Sequence, residues 1–398
     1  MKVVLVAPTN FGGHPRYVSE VANALSEHLI DTSVLTAAGG KEYPLRLKPV
    51  VHLADNLDAI QPREEYTNRA SWILSRIFHY AKTDYKIAAY LKKFRPRVAW
   101  FQEYSVLTIL PLLIYLRSTL GKGVVLALTA HNIEPHNKRI PAWLSDFMLG
   151  TIYRRWDLIV VHDRGQFDLL TQKYKIARPK VVIAPHAVWT VSTEVESSAI
   201  PVINPERDMI ETRVQWLLCP GVIRSNKNAN LAVLALKYLP DSYRLRIAGK
   251  VEDDAAITAI NMALHATPES RKSSVELITR YLSNEELTAN FREASAVLLP
   301  YSSFSAQSGI LFDCVSMGCP VVASNGTAMA ELVNEYGVGE CFDMPSEEAS
   351  DESAQALASA IMKLKSKETY SAAFVAIKDD YSWSAHARLV LSQVERLG

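Results

Sequence analysis

Two successive runs of alternating short β-rich and longer amphipathic segments, divided by a stretch with neither period, constrain this chain more than any other feature. In the first run, strands are expected at residues 3–6, 33–35, 98–101, 124–129, 158–161 and 181–183. The segment after Gly12-Gly13 places Val18, Val21, Ala22, Leu25 and Leu29 on one helical face. Around residues 188–212 the periodicity disappears, and Val195-Glu196-Ser197-Ser198-Ala199-Ile200-Pro201 reads as linker. A second run predicts strands at 215–219, 244–248, 274–278, 296–299, 320–323 and 339–342, and a closing helix from Ser382 to Leu397. Such alternation argues for parallel sheets covered on both faces, so the fold class is α/β with two doubly wound domains. The expected boundaries are 1–190 for the first domain, 191–213 for the linker and 214–381 for the second domain. The final helix, 382–398, is expected to cross back to the first.

Length and composition agree with this division. A chain of 398 residues suits two domains, and 48% hydrophobic against 21% charged residues is enough to build cores. No apolar stretch is long enough to span a bilayer. The apolar run at the start is short and reads as a first core strand rather than a signal peptide. Cys219, Cys314, Cys319 and Cys341 form no C-x-x-C pair, so buried thiols and a cytoplasmic location are expected. The net charge of +1 hides an asymmetry: residues 1–190 hold 25 Lys+Arg against 15 Asp+Glu, and the remainder 18 against 27. A basic first half suits an anionic lipid surface or acceptor, or is simply an unevenly charged solvated face. The acidic groups Glu252-Asp253-Asp254 and Asp379-Asp380 read as solvated loop charge rather than metal ligands. Nothing resembles a nucleic-acid module.

Five segments carry chemistry. Pro220-Gly221-Val222-Ile223-Arg224-Ser225-Asn226-Lys227 lies between the first strand and first helix of the second domain. Its glycine admits close backbone approach, and its two cations sit beside a helix start that Asn228 or Asn230 can cap. That set suits a pyrophosphate, or is two solvated loop cations. The second segment runs from Pro300 to Val333. Ser308-Gly309 opens a helix that ends at Gly318 and contains Asp313 as its lone carboxylate, suited to a vicinal diol or simply a surface aspartate. The third, Gly326-Thr327 with Glu331, reads as an ordinary capping device. In the fourth, Gly12-Gly13 before His14 lets backbone approach a ligand, but it is not G-x-G-x-x-G, so a dinucleotide fingerprint is absent. In the fifth, Thr129-Ala130-His131-Asn132 follows a strong strand and puts His131 at the sheet's carboxyl edge, where a histidine can be catalytic or structural. His136, His162 and His186 are weaker versions.

In order and spacing these segments resemble the retaining family 4 of GT-B glycosyltransferases. The resemblance spans nearly the whole chain and rests on Gly12-Gly13, Thr129-Ala130-His131, Pro185-His186-Ala187-Val188, Gly221 with Lys227, residues 312–322, and Gly326-Thr327 with Glu331. It implies two Rossmann-like domains facing each other across a cleft, and transfer of a sugar from a nucleoside-diphosphate sugar to a hydroxyl of a glycan or lipid-linked acceptor. It implies His131, Arg224 and Lys227 as catalytic residues. Gly13, Gly221, Ser305, Gln307, Ser308, Gly309, Ile310 and Asp313 would bind the donor, and His14, Glu103 and Asn132 would lie on the acceptor side. His131 would sit near the donor sugar's 6-hydroxyl. No cofactor or metal is expected. Ser305 stands where the family has its first acidic residue, Asp313 where it has a glutamate, and Val222 where it has an arginine. A silent sugar-nucleotide-binding protein and a nicotinamide-dependent oxidoreductase are the rival readings.

Two aromatic-rich stretches, 70–80 and 142–149, have cations nearby and fit either interfacial helices or core helices with basic outer faces. A peripheral position on an anionic membrane is therefore a further expectation.

Overall fold

The structure is a computed structural model and describes residues 1–9, 13–37, 45–59, 69–134, 141–190, 214–302, 309–344 and 349–397, without the side chains of residues 69–71. The expected linker, 191–213, therefore lies outside the described residues. The chain divides into two compact units, Met1–His186 with Ser382–Gly398, and Ala187–Tyr381.

The first unit is built on a seven-stranded sheet of order β3-β2-β1-β4-β5-β6-β7. Its strands are β1 (Lys2–Ala7), β2 (Asp31–Ala37), β3 (His52–Leu57), β4 (Val98–Phe101), β5 (Val125–Thr129), β6 (Leu158–Val161) and β7 (Val181–Ile183). Every pairing is parallel. Helices α1 (His14–Glu27), α2 (Arg69–Phe94), α3 (Ile109–Leu120), α4 (Ala142–Arg154) and the short α5 (Arg164–Asp168) occupy the connections. The central strands read as near-continuous apolar runs because both faces are covered, and β4, β5 and β6 are buried at every position. Strand β3 escapes the sequence pattern for the opposite reason. It is an edge strand with only Leu57 buried, and Asp55 and Asn56 face outward.

The second unit has six parallel strands in the order β10-β9-β8-β11-β12-β13. They are β8 (Gln215–Pro220), β9 (Tyr243–Ala248), β10 (Val275–Ile278), β11 (Ala294–Leu299), β12 (Val321–Ser324) and β13 (Gly339–Phe342). The helices are α6 (Ala229–Ala235), α7 (Asp254–Ala266), α8 (Glu269–Lys272), α9 (Asn284–Glu293), α10 (Gly309–Met317), α11 (Ala328–Tyr336), α12 (Asp351–Lys363) and α13 (Ser371–Asp380). A last helix, α14 (Trp383–Arg396), is capped by Ser382, whose hydroxyl accepts from the Ala385 amide, and it packs on α1, β6 and β7 of the first unit.

In each sheet the strand order reverses beside the first strand: between β1 and β4, and between β8 and β11. Loops leaving the carboxyl ends of two strands diverge there to opposite faces, and ligands of open α/β sheets bind in the opening. The functional segments of the sequence fall largely on these loops.

The thiols largely follow expectation. Cys219, Cys314 and Cys319 are buried and free, while Cys341 is half-buried. Among the described residues no helix is long and apolar enough to cross a membrane.

Candidate active site

In the second unit, the loop after β8 and the loop after β11 meet at the reversal point. Gly221 has φ +88°, and its amide donates to the Ala248 carbonyl. A Cβ there would stand 3.2 Å from Ile310 Cδ1 and 3.3 Å from Lys227 Nζ, while one on Gly249 would collide with the Gly221 carbonyl. The bare backbone is what lets Lys227 and Ile310 close over residue 221. A short 3-10 turn, Ser225–Lys227, then delivers the lysine. The Asn226 carbonyl accepts from the Ser302 amide at 2.9 Å, and Ser324 Oγ donates to the Tyr301 carbonyl, so the two loops are joined and anchored.

The Lys227 ammonium lies 5.2 Å from the centre of the Tyr301 ring. Among the described residues no carboxylate stands within ion-pair distance of it. Burial holds its pKa down at about 8, with the Arg224 charge pushing the same way and Cys219 and Glu252 opposing. A poorly solvated, unneutralised cation on a bare backbone turn is suited to an anion.

Arg224 is differently placed. Its Nε donates to Glu252 Oε2 at 2.7 Å, and its Nη2 reaches the same oxygen. Asp253 accepts from the Ser225 amide at 3.0 Å and from the Ala255 amide at 2.9 Å, capping α7. Glu252 and Asp253 therefore brace the lysine loop, while Glu252 and Asp254 stay exposed to solvent as the sequence suggests. The expected cap also differs. Asn228 adopts the left-handed conformation at φ +46° and caps α6 without a side-chain hydrogen bond to its first turn. Helix α6 starts at Ala229, because the 3-10 turn leads straight into it.

Gly309 and Ile310 open α10, and Trp189 Nε1 donates to the Gly309 carbonyl at 3.2 Å. Asp313 is 8% exposed, so it is no ordinary surface aspartate. Ser305, Gln307 and Ser308 lie outside the described residues. Thr327 caps α11 by accepting from the Ala330 amide at 3.2 Å and donating to the Ser324 carbonyl at 2.9 Å.

In the first unit, Gly13 is the exposed N-cap residue of α1, and Pro15 suits the helix start. The first turn of α1 brings His14 and Tyr17 against His131, with ring centres 5.1 and 4.7 Å apart and the rings nearly perpendicular. Glu103, beyond β4, accepts from the Thr9 amide at 2.5 Å, which ties together the two loops at this sheet's reversal point. Asn132 is exposed. His136 and residues 10–12 are outside the described residues.

His131 is not a solitary imidazole. Its Nδ1 lies 3.3 Å from His162 Nε2, and its Nε2 is buried with no hydrogen-bond partner among the described residues. Burial holds its pKa well below the usual imidazole value, and the neighbouring His162, His14, His186 and His386 push the same way. His162 is brought down to about 4 by burial, against the opposing Ala184 carbonyl. Tyr17 and Trp383 complete the cluster; His186 is 5.3 Å from Trp383 between ring centres. Sequence reasoning placed His162 and His186 at strand ends but gave no sign that they converge with His131. It missed His386, Tyr301 and Trp189 altogether. An aromatic residue after Pro185-His186-Ala187-Val188 was the one available hint for Trp189.

Comparisons with known proteins bear on the domain and the fold. Residues 215–366 match the family model described as "Glycosyl transferases group 1". No curated protein matches the chain by sequence. Among solved structures, a sucrose-phosphate synthase from Thermosynechococcus elongatus is similar at TM-score 0.69 and 14% identity, covering 100% of this chain and 98% of that one. HepE of Anabaena, solved in complex with UDP, is similar at TM-score 0.67 and 12% identity, with 100% of both chains covered. A glycosyltransferase from Rickettsia africae ESF-5 aligns at TM-score 0.65 and 15% identity over 100% of this chain and 98% of that one. Fold and family match together define the class: this is a glycosyltransferase of GT-B fold. Its second unit carries the glycosyl transferases group 1 domain.

Proposed function

We propose that the protein moves a sugar from a nucleoside-diphosphate sugar to a hydroxyl of a glycan or lipid-linked acceptor, with retention at the anomeric carbon. The observation that carries this reading is the Lys227 ammonium, half-buried and unneutralised over the glycine turn at the reversal point of the second sheet. Bond cleavage at the sugar leaves negative charge on the departing diphosphate. A cation already partly desolvated stabilises that charge more than it stabilises the intact donor. The amides of Gly309 and Ile310 at the start of α10 add to it, and Asp313 takes the ribose diol. Arg224, braced by Glu252, contributes its field from the rim of the loop. In this reading no carboxylate acts as a nucleophile; the acceptor attacks from the leaving-group face and the departing phosphate takes its proton. His131 is assigned to a substrate hydroxyl. No metal is assigned, and activity is expected to survive a chelator.

The test is a thermal-shift and calorimetric titration with UDP, GDP and their sugars, with UDP as the first probe. Wild type is expected to be stabilised by about 2.7 kcal/mol at a hundredfold excess over Kd. Lys227→Ala is expected to lose one charge-assisted contact, about 1.5–3 kcal/mol, or roughly 10- to 150-fold in affinity. Unchanged affinity in that variant would remove the role given to the lysine.

A second proposal concerns the acceptor side. Helix α2 exposes Leu74 (58%) and Phe78 (75%), and α4 exposes Trp143 (71%) and Phe147 (66%). Apolar side chains this open, on helices carrying Arg76, Lys92, Lys93 and Arg154, favour the interfacial reading over core helices with basic outer faces. We assign this surface to an anionic membrane on the cytoplasmic side.

A further inference from the structure

We propose that His162 is a positioning residue that fixes the tautomer of His131, so that the nitrogen His131 offers to substrate is a hydrogen-bond acceptor. Its partner is then a hydroxyl group and not a phosphate or carboxylate oxygen. The identity of that partner rests on the glycosyltransferase reading above; the tautomer does not.

The argument follows the protons. A backbone carbonyl can only accept. The Ala184 carbonyl lies 3.0 Å from His162 Nδ1, so that nitrogen carries the proton. A neutral imidazole holds one proton, which leaves His162 Nε2 with a lone pair. That lone pair lies 3.3 Å from His131 Nδ1, and the pair is a hydrogen bond only if His131 Nδ1 donates. Neutral His131 then has a bare Nε2, the same atom that is buried without a partner among the described residues. Burial keeps both rings neutral, which is the condition the chain of protons requires.

Two features hold this arrangement in place. The Gln166 side chain links the two histidine backbones: its Oε1 accepts from the His162 amide at 2.7 Å, and its Nε2 donates to the His131 carbonyl at 3.2 Å. The next carbonyl along, Pro185, accepts from His386 Nδ1 at 2.9 Å, and His386 Nε2 lies 3.1 Å from Tyr17 Oη. Consecutive carbonyls beyond β7 therefore set two neutral imidazoles in the same tautomer. One orients Tyr17 as a donor and the other orients His131.

A buried acceptor without a donor carries a desolvation cost, which is regained when a hydroxyl donates to it. An anionic oxygen would meet lone pair against lone pair. The neutral ring thus discriminates by chemistry as well as by shape.

The experiment is a two-bond ¹H–¹⁵N NMR spectrum of the full chain labelled with ¹⁵N-histidine at neutral pH, with ring signals assigned by substitution. His131 is expected to be protonated at Nδ1 and bare at Nε2. His162→Phe, which keeps a ring but removes the acceptor, is expected to shift His131 towards the Nε2–H form. It should lower kcat/KM for a nucleotide-sugar donor by about tenfold, the worth of one such contact. His162→Gln, whose amide oxygen can accept from His131, is expected to restore the Nδ1–H form and most of the activity. A wild-type His131 protonated at Nε2 would overturn the proposal, and that spectrum decides even if His162→Phe does not fold. So would an unchanged His131 tautomer in a folded His162→Phe. If the tautomer is as proposed but no nucleotide sugar binds, the positioning role stands, and the functional reading falls together with its hydroxyl partner.

Discussion

At Lys227 a single charge is kept where water is scarce, and the protein bears that cost in the absence of ligand. Its pKa of about 8 lies below the ordinary 10.5, so the free protein begins to lose this charge just above neutral pH. A bound diphosphate raises that pKa, so binding above pH 8 must take up a proton. UDP affinity is therefore expected to fall as pH rises through 8, and calorimetry in buffers of different ionisation enthalpy would detect the proton uptake. Gly221→Ala tests the backbone beside it. With φ +88° and two side-chain neighbours inside 3.4 Å, the variant is expected to lose about 1–3 kcal/mol of stability. It should lose diphosphate binding as well, because the lysine would be displaced; a neutral effect on both would show that the turn tolerates a side chain. The imidazole cluster has the opposite pH signature. His162 at about 4 and His386 at about 3 lie below the unperturbed 6.5, so the unfolded chain binds more protons in that interval. Stability contributed by these groups is complete above pH 6.5 and is lost as pH falls from there towards 3, by up to about 1.4 kcal/mol per pH unit for each histidine. Denaturant midpoints measured across this range, in wild type and His386→Phe, would check the slope.

Among the elements, α14 is the one whose sequence position conceals its place. It follows the second unit in the chain, yet it packs on α1 and completes the core of the first, burying Trp383, His386, Ala387, Val390 and Val394. Ending the chain at Tyr381 is expected to destabilise the first unit and leave the second intact, read as selective proteolysis of residues 1–186. Equal loss in both units would contradict that. The milder Ser382→Ala removes only the cap and should cost about 1 kcal/mol. Helix α10 was easier to anticipate. Its glycine start, apolar body and Gly318 stop mark its ends in the sequence, and the structure adds that Asp313 is buried.

For the whole molecule, each unit holds its own core. In the first, Trp100, Trp156, Tyr153 and Phe101 are buried among aliphatic side chains; in the second, Phe291 and Phe312 take that part. The basic first half, together with exposed Leu74, Phe78, Trp143 and Phe147, is expected to carry the chain to vesicles containing anionic lipid. Co-sedimentation should weaken at high salt and in Phe78→Ser/Trp143→Ser. Binding absent at low salt, or equal on neutral vesicles, would rule out this use of the surface.

The strands and the order of functional loops were legible because buried parallel strands must be apolar at every position and helix ends require glycine, proline or a capping hydroxyl. Those are local demands, written into neighbouring residues. Strand β3 was not legible, because an exposed edge makes no such demand. The convergence of His131, His162, His186 and His386 was equally invisible, since they lie on separate segments and only strand order and the return of α14 bring them together. Local chemistry thus determined which residues could serve a sugar nucleotide. Tertiary packing decided which of them lost their water, which gained a counter-charge, and which nitrogen of His131 was left bare.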